Sequence, residues 1–274
     1  MSPRLLINVG LLLTIIIVAL ILFFTEDKKQ QNNTIYISDI GANTISTIYL
    51  RNSADEIIEF SNINNYWKIN NPLDISANPD RIKALLGLLS LASATKLPIN
   101  EVQLEKLELE PARAILKFNE HEFAFGGVDA IDEYRYVLFK NNVYLIEDRL
   151  YPQLNSGLHF FIDNRLAPDK NISSIIINEK EYLADKNPAL IQSWSNARAM
   201  NITRYSGAET NGFITITDKG GTSLDYEIIA DDERLRLARK EKGVEYHLLS
   251  TDRKELLKLD EKSSDITETI TITD

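Results

Sequence analysis

The chain contains 274 residues with 40 acidic and 30 basic side chains, so its formal net charge is −10. It has no cysteine, which excludes disulfides, thiol nucleophiles, an acylated lipoprotein cysteine and cysteine-ligated zinc. Because the phosphates of nucleic acids repel a chain this acidic, we expect no nucleic-acid partner.

An uncharged, apolar run occupies residues 5–24. Twenty helical residues rise about 30 Å, the thickness of the hydrocarbon layer of a bilayer. A cleaved signal peptide is the alternative, but its apolar core is usually shorter, about 7–15 residues, and ends at a small-residue cleavage site. No such site follows Phe24, since the next residues are Thr25 and Glu26. We therefore predict a transmembrane anchor over residues 1–25, with the lipid bilayer as its partner through residues 5–24.

The charges around the run do not decide its orientation. Arg4 precedes it, whereas Lys28 and Lys29 follow it, so the count of lysine and arginine is nearly balanced. A short N-terminal stub before a large body is typical of an exported protein, so we expect a cytoplasmic N-terminus. Residues 26–33 are polar and are predicted as a linker.

The first part of the body predicts several short strands followed by a helix. Strands rich in Ile and Tyr are predicted at residues 35–40, 45–50, 56–60 and 66–69. Asn78 can cap a helix, Pro79 suits its first position, and Asp80 complements the helix dipole. The apolar residues of the buried helical face are Ile82, Leu85, Leu86 and Leu89.

A four-stranded antiparallel meander is predicted next. Its strands lie at residues 112–119, 122–125, 134–140 and 143–147. Asn141 and Asn142 favour a two-residue hairpin turn between the last two strands. Gly126 and Gly127 indicate a turn or a bulge, because two glycines cannot pack a strand face.

The same order of elements then recurs. Strands at residues 174–177 and 181–184 precede a helix that starts at Asn187-Pro188, 109 positions after Asn78-Pro79, and is expected to end near Met200. The apolar face of this helix comprises Leu190, Ile191, Trp194 and Ala197. Further strands are predicted at residues 212–217, 223–229, 235–239 and 244–249. The recurrence predicts an internal duplication.

The predicted fold class is therefore α+β: an N-terminal transmembrane helix followed by two similar lobes, each an antiparallel β-meander with one covering helix. We assign residues 34–165 to the first lobe and residues 166–257 to the second, with the joint near residues 163–171. Residues 258–274 form an acidic tail rich in Thr and Ser.

Several short motifs in the first lobe occur in the order of a known family. They are Ile48-Tyr49-Leu50, Trp67-Lys68-Ile69 with Pro72, Asn78-Pro79-Asp80, Leu107 to Pro111, Phe125-Gly126, Tyr136-Val137 and Val143-Tyr144-Leu145-Ile146. This order resembles the DUF4340 family over residues 45–165 and, more faintly, over the second lobe. Members of that family often have Gly-Leu-x-x-Pro before the first meander strand, and Glu108 stands where that glycine would be.

The resemblance implies a bacterial protein of unknown function with one N-terminal span. Because some relatives occur with ABC-transport or gliding-type machinery, it also implies an accessory role in the envelope. The expected location is the bacterial inner membrane, with the body periplasmic or otherwise extracytoplasmic. The resemblance carries over no catalytic residues.

No residue is predicted to be catalytic, cofactor-binding or metal-ligating. The three histidines, His121, His159 and His247, have no metal-ligand spacing along one helix or hairpin. We expect no cofactor and no enzymatic activity.

The candidate interaction residues are Arg234, Arg236, Arg239, Trp67 and Trp194. The three arginines form a basic stretch that could dock an acidic partner, although a solvated sheet face paired with neighbouring acids is the simpler interpretation. The two tryptophans are predicted as core or hairpin anchors, with an aromatic ligand platform as the alternative.

The leading functional hypothesis is a membrane-anchored accessory module that binds an envelope protein or component. Two alternatives remain open: a receptor that binds a ligand or glycan in the groove between lobes, and a hydrolase assembled from distant residues. A receptor requires a cleft with aromatic and polar groups, whereas an enzyme requires convergent titratable groups. An accessory module requires an exposed apolar patch or an open sheet edge.

Overall fold

The computed structural model describes residues 14–18, 34–131, 133–168, 171–230 and 234–258. Residues 14–18 are helical and exposed. The rest of the predicted anchor, the linker at residues 26–33 and the tail from residue 259 onward lie outside the described residues. Among the described residues, no helix is both long enough and apolar enough to span a membrane.

The described body is a mixed α+β fold built mostly from antiparallel strands. Its strands are β1 (Ile35–Tyr36), β2 (Thr47–Arg51), β3 (Ile57–Ile63), β4 (Tyr66–Asn71), β5 (Ile75–Ser76), β6 (Ala92–Ser93), β7 (Thr95–Pro98), β8 (Ala114–Phe118), β9 (His121–Val128), β10 (Tyr134–Phe139), β11 (Asn142–Glu147), β12 (Ile172–Ile177), β13 (Lys180–Leu183), β14 (Asn201–Arg204), β15 (Gly212–Asp218), β16 (Ser223–Ala230), β17 (Arg236–Arg239) and β18 (Val244–His247). Its helices are α1 (Pro79–Leu86), α2 (Tyr151–Leu154), α3 (Leu158–Phe161), α4 (Pro188–Asn196) and α5 (Ser250–Leu257). Short 3-10 turns lie at Ala42–Thr44, Gly87–Ser90, Ile99–Glu101, Leu104–Leu107 and Lys240–Lys242.

The strands form two large sheets, and β1 pairs separately with β6. The first sheet has nine strands in the order β5-β4-β3-β2-β8-β9-β10-β11-β7, and the second has seven in the order β13-β12-β15-β16-β17-β18-β14. Starting at β3, the strands of the first sheet have the same relative order as those of the second. In each sheet a hairpin (β3-β2 or β13-β12) is followed by a four-stranded meander (β8 to β11 or β15 to β18). The last strand of each sheet, β7 or β14, lies between the helix and the meander in sequence.

Both meanders contain an irregularity at the equivalent strand pair. Between β9 and β10, Arg135 pairs with Val128 and Val137 pairs with Phe125, so β9 accommodates an extra residue at Gly126-Gly127. Of the predicted turn or bulge at these glycines, the structure contains the bulge. Between β16 and β17 the register also shifts, next to Ile228.

Two local predictions were wrong by a few residues. Phe139 pairs with Asn142, so the two-residue turn comprises Lys140 and Asn141 rather than Asn141 and Asn142. Helix α4 ends at Asn196 rather than near Met200. The backbone becomes extended at Ala197. The carbonyl of Ala197 accepts a hydrogen bond from the backbone N–H of Leu166 at 3.1 Å.

The hydrophobic core is continuous through both sheets. In the first part, α1 begins as predicted, because the Asn78 side chain accepts hydrogen bonds from the backbone N–H groups of Asp80 and Arg81. In the second part, Trp194 of α4 is fully buried, and its Nε1 donates to the carbonyl of Leu256 at 3.0 Å. Phe60 and Phe161 pack edge to face at 5.5 Å beside the junction of the two sheets.

Candidate functional site

A cleft lies between the β4–β5 edge of the first sheet and one face of the second sheet. We call it the inter-sheet cleft; its charged residues are Lys68, Asp74, Asp163, Arg165, Arg239 and Lys242. The tyrosines Tyr226 and Tyr246 also line it, and it encloses about 230 Å³. Its residues come from four stretches of the chain that are far apart in sequence.

The connecting segment, residues 162–168, positions the cleft because it is hydrogen-bonded to both halves of the fold. Toward the first sheet, the N–H of Asp163 donates to the carbonyl of Ser76 at 2.9 Å. Toward the second, the N–H of Ala199 donates to the carbonyl of Asn164 at 2.8 Å. Backbone hydrogen bonds on both sides therefore tie the segment to both halves of the fold.

An ion pair on this segment places one cation in the cleft. Asp163 is only 2% exposed, and both of its carboxylate oxygens accept hydrogen bonds from Arg165, the shortest from Nη2 at 2.6 Å. A buried carboxylate without a partner is costly, so the two-point contact with the guanidinium stabilises the charge. It also restricts the orientation of the Arg165 side chain.

Two buried tyrosines supply neutral hydroxyl groups beside the cations. Their rings pack edge to face at 5.5 Å, and the Tyr226 hydroxyl donates to the carbonyl of Leu166 at 2.7 Å. Burial raises the pKa of Tyr226 well above its usual value. Burial also raises the pKa of Tyr246 to about 12, although the nearby Arg239 guanidinium acts in the opposite direction. Both hydroxyls therefore stay protonated at neutral pH.

Cations outnumber carboxylates in the inter-sheet cleft. The cleft contains four cationic side chains and two carboxylates. Asp74 lies 3.2 Å from the Nζ of Lys68 and 4.0 Å from that of Lys242, so two lysines share one carboxylate. In a chain with a net charge of −10, this cleft is a local positive region.

A second compartment adjoins the inter-sheet cleft. It encloses about 350 Å³ and is lined by Asn65, Tyr66 and Trp67 near the end of the β3–β4 hairpin. Lys68 and Arg165 line both compartments, so the two spaces are neighbours. The inter-sheet cleft is rich in charged groups, whereas the neighbouring compartment presents the aromatic rings of Tyr66 and Trp67.

Comparison with known proteins places the chain in a family. The model of the family described as a domain of unknown function, DUF4340, matches residues 67–265. This chain belongs to the DUF4340 family. The match starts later than the resemblance at residues 45–165 and extends through the second sheet. No curated protein matches the chain, and no solved structure matches it.

In this DUF4340 fold, the predicted interaction residues are dispersed. Arg234 is exposed, and Arg236 forms an ion pair at 2.8 Å with the buried Glu245 on the outer face of the second sheet. Arg239 has the opposite strand parity to Arg236, so it lies on the face that lines the inter-sheet cleft. Trp67 lines the second compartment, whereas Trp194 is a core residue.

Sequence reasoning missed the other charged and aromatic residues of the cleft. Lys68, Arg165, Lys242, Tyr226 and Tyr246 were not selected, because none forms a recognisable motif with its neighbours in sequence. One signal was available: Asp163 and Arg165 are charged residues two positions apart in a mostly apolar stretch. Such a pair in a buried segment indicates an internal ion pair.

A second cluster of titratable groups surrounds Glu245, which is 1% exposed. Burial raises the pKa of this carboxyl, but hydrogen bonds from Ser206 and the charge of Arg236 more than offset burial and leave the pKa below its usual value. His247 Nε2 lies 2.9 Å from the Thr203 hydroxyl and 3.6 Å from Glu245. Because the same ring nitrogen faces both groups, the cluster lacks the relay geometry of a nucleophile, base and orienting acid.

The histidines and carboxylates of the described residues form no metal-binding group. Among these residues, no set of three or more His, Asp or Glu side chains is arranged to hold a metal ion. His121 and His247 lie on β9 and β18, in different sheets, and His159 lies on α3. Burial lowers the pKa of His159, which favours its neutral form.

A wider groove of about 800 Å³ runs between α4 and α5. It is more open to solvent than the inter-sheet cleft. Its charges are mixed: the cations are Arg198, Lys254 and Lys258, and the carboxylates are Asp252 and Glu255. We therefore regard the inter-sheet cleft as the better candidate for selective binding.

Proposed function

We propose that this DUF4340 chain is a single-pass protein of the bacterial inner membrane whose body is a non-enzymatic interaction module outside the cytoplasm. The observation that carries the proposal is the uncharged run of twenty residues, 5–24, which precedes the body. A helix of that length satisfies its own backbone polar groups while it crosses lipid. The net charge of −10 argues against a nucleic-acid partner.

The anchor accounts for how such a module acts at the envelope. The N-terminus lies in the cytoplasm, and the body is held close to the outer face of the inner membrane. Tethering raises the effective concentration of the body toward other membrane components without requiring a large interface. The proposed partner is a protein of a transport or envelope-assembly system.

The tip of the β3–β4 hairpin supports a docking role. Asn64 and Asn65 both have positive φ angles, 52° and 68°, which form the tight turn. Next to this turn, Ile63 pairs with Tyr66 across the hairpin, and the two side chains are 55% and 56% exposed. Exposed apolar residues on a projecting hairpin are typical of a contact surface.

The ion pairs that the buried carboxylates form support a non-enzymatic body. Asp163 and Glu245 are the buried acids of the described residues, and each is paired with an arginine and accepts further hydrogen bonds. Carboxylates paired with arginine in this way stabilise the fold, whereas a general acid or base must exchange its proton at working pH.

We further propose that the two halves of the body arose by internal duplication. The equivalent strand order, the equivalent irregularities in the meanders and the two Asn-Pro helix starts support this origin. Family sequences provide the test. Alignments of the two halves within single members should score above shuffled sequences, and scores no better than shuffled would contradict the duplication.

Site-specific photocrosslinking in intact membranes tests the docking role. A photoreactive amino acid replaces Ile63 in the full chain, and a matched variant carries it at Lys219, an exposed polar residue at the end of the β15–β16 hairpin. The Ile63 variant is expected to capture a membrane or envelope protein reproducibly, whereas the Lys219 variant is not. Equal capture at both positions, or none at Ile63, would contradict the docking role.

A further inference from the structure

We propose that the inter-sheet cleft binds a small ligand that carries a carboxylate or phosphate group. The proposal concerns the body alone and does not depend on the membrane anchor. An aromatic and polar cleft between the two halves is also what a receptor requires.

The first argument is the local excess of positive charge. Lys68, Arg165, Arg239 and Lys242 face a space that contains only two carboxylates, Asp74 and Asp163. The Asp163 carboxylate already accepts hydrogen bonds from Arg165, and Asp74 is shared by the two lysines. Arg239 also forms an ion pair at 3.2 Å with Glu241, which does not line the cleft. An incoming anion would therefore add the negative charge that Lys68 and Lys242 can still accommodate, with Arg239 as a further donor.

The second argument is how firmly the cationic groups are held. Arg165 is fixed by its two-point contact with the buried Asp163, and Arg239 is only 18% exposed and close to the Tyr246 hydroxyl. Side chains that are already ordered lose little conformational freedom when a ligand binds. The neutral Tyr246 hydroxyl can donate a further hydrogen bond toward an anionic oxygen.

The third argument is the shape of the adjoining space. The second compartment, of about 350 Å³, offers the rings of Tyr66 and Trp67 and the amide of Asn65 to the uncharged part of a ligand. Aromatic rings with an amide beside them suit a sugar or another ring. At about 350 Å³ this compartment is within the size range of small-molecule sites, about 300–1,000 Å³. An acidic monosaccharide is therefore the best-fitting class of probe.

Calorimetric titration of the full chain in detergent micelles tests the proposal. The probes are glucose 6-phosphate, glucuronate, inorganic phosphate and neutral glucose. The variants are Arg239→Gln and the double variant Lys68→Gln/Lys242→Gln. The control is Arg149→Gln, which removes an arginine whose side chain is 85% exposed and lies outside the cleft. Far-ultraviolet circular dichroism checks that each variant is folded.

At least one of the three anions is expected to bind saturably, and glucose is not. Each cleft variant should weaken that binding by about tenfold or more, because each removes at least one charge-assisted contact. The Arg149→Gln control should bind as the unaltered chain does. Binding by phosphate and glucose 6-phosphate alone would identify a phosphate site, and binding by glucuronate alone a carboxylate site.

Three results would overturn the proposal: no saturable binding of any of the three anions, equal binding of glucose, or cleft variants that bind like Arg149→Gln. If Arg239→Gln fails to fold, the double lysine variant still tests the proposal. Lys68 and Lys242 are partly exposed and lie outside the hydrophobic core, so we expect their replacement to leave the fold intact. None of these results affects the proposed membrane anchor or the hairpin contact.

Discussion

At the scale of single residues, Glu108 shows how a departure from a family pattern can be interpreted physically. It has a φ angle of 56°, in the left-handed region, at the end of the 3-10 turn Leu104–Leu107. Glycine adopts this conformation without the steric cost that a Cβ atom adds. The glycine expected at this position by resemblance to the family therefore has a structural reason. The Glu108 side chain forms an ion pair with Arg113.

Two substitutions at Glu108 separate the backbone effect from the ion pair. Glu108→Gly and Glu108→Ala both remove the contact with Arg113, but only glycine relieves the left-handed conformation. The glycine variant should be more stable than the alanine variant by about 1 kcal/mol. The measurement is the free energy of unfolding in urea.

The matched control is Lys106, which lies within the same 3-10 turn and has no positive φ angle. There the order should reverse, with alanine more stable than glycine by about 0.5–1 kcal/mol. The same order at both positions would show that the left-handed conformation of Glu108 does not govern stability.

The lowered pKa of Glu245 predicts how the stability of the fold depends on pH. Since its folded-state pKa is lowered, the stability that it contributes is present above its unfolded-state pKa, about 4.3 for a free glutamate, and is lost as the pH falls through the folded-state value. At pH 7, Glu245→Gln should destabilise the chain by about 1.5–3 kcal/mol, because hydrogen bonds to a charged group weaken. This difference from the unaltered chain should shrink below about pH 4.3.

Urea unfolding between pH 7 and pH 3 measures this dependence. Glu122→Gln serves as the control, because Glu122 forms an exposed ion pair with Lys117 and should change stability by less than about 1 kcal/mol. A loss for Glu245→Gln that stays constant across the whole range would show that ionisation of this carboxylate does not stabilise the fold.

At the scale of elements, the two Asn-Pro helix starts differ in a way that the sequence alone does not reveal. Asn78 caps α1 through its side chain, whereas the Asn187 side chain makes no capping hydrogen bond to α4. Asn78→Ala should therefore reduce the free energy of unfolding by about 1 kcal/mol, and Asn187→Ala by less than about 0.5 kcal/mol. Parallel urea denaturation of the two variants measures the difference, and equal losses would contradict it.

The strands and helices of this chain could be predicted where patterns over a few neighbouring residues determine the secondary structure. The alternation in β8 to β11 and the Asn78-Pro79 start of α1 act over a few residues, and the structure contains these elements. The end of α4 was not predictable, because backbone groups of the connecting segment, far away in sequence, pair with the chain after Asn196. Local propensity cannot report such long-range pairing.

At the scale of the whole molecule, the inter-sheet cleft illustrates what the sequence cannot reveal. Its cations lie at positions 68, 165, 239 and 242, and only the strand order brings them together. Arg239 was selected from the sequence with Arg234 and Arg236, but strand parity places it on the opposite face of β17 from Arg236. The candidate binding surface thus depends on topology rather than on a contiguous motif.

The proposed function depends on the uncharged run at residues 5–24 acting as a membrane anchor, so membrane retention is the decisive test. Cells that express the full chain are extracted with alkaline carbonate, spheroplasts are treated with protease, and the mature N-terminus is determined by mass spectrometry. The full chain should remain in the membrane pellet with residues 5–24 intact, and external protease should digest its body. A chain that is freely soluble without detergent, or a mature form that lacks those residues, would contradict the account.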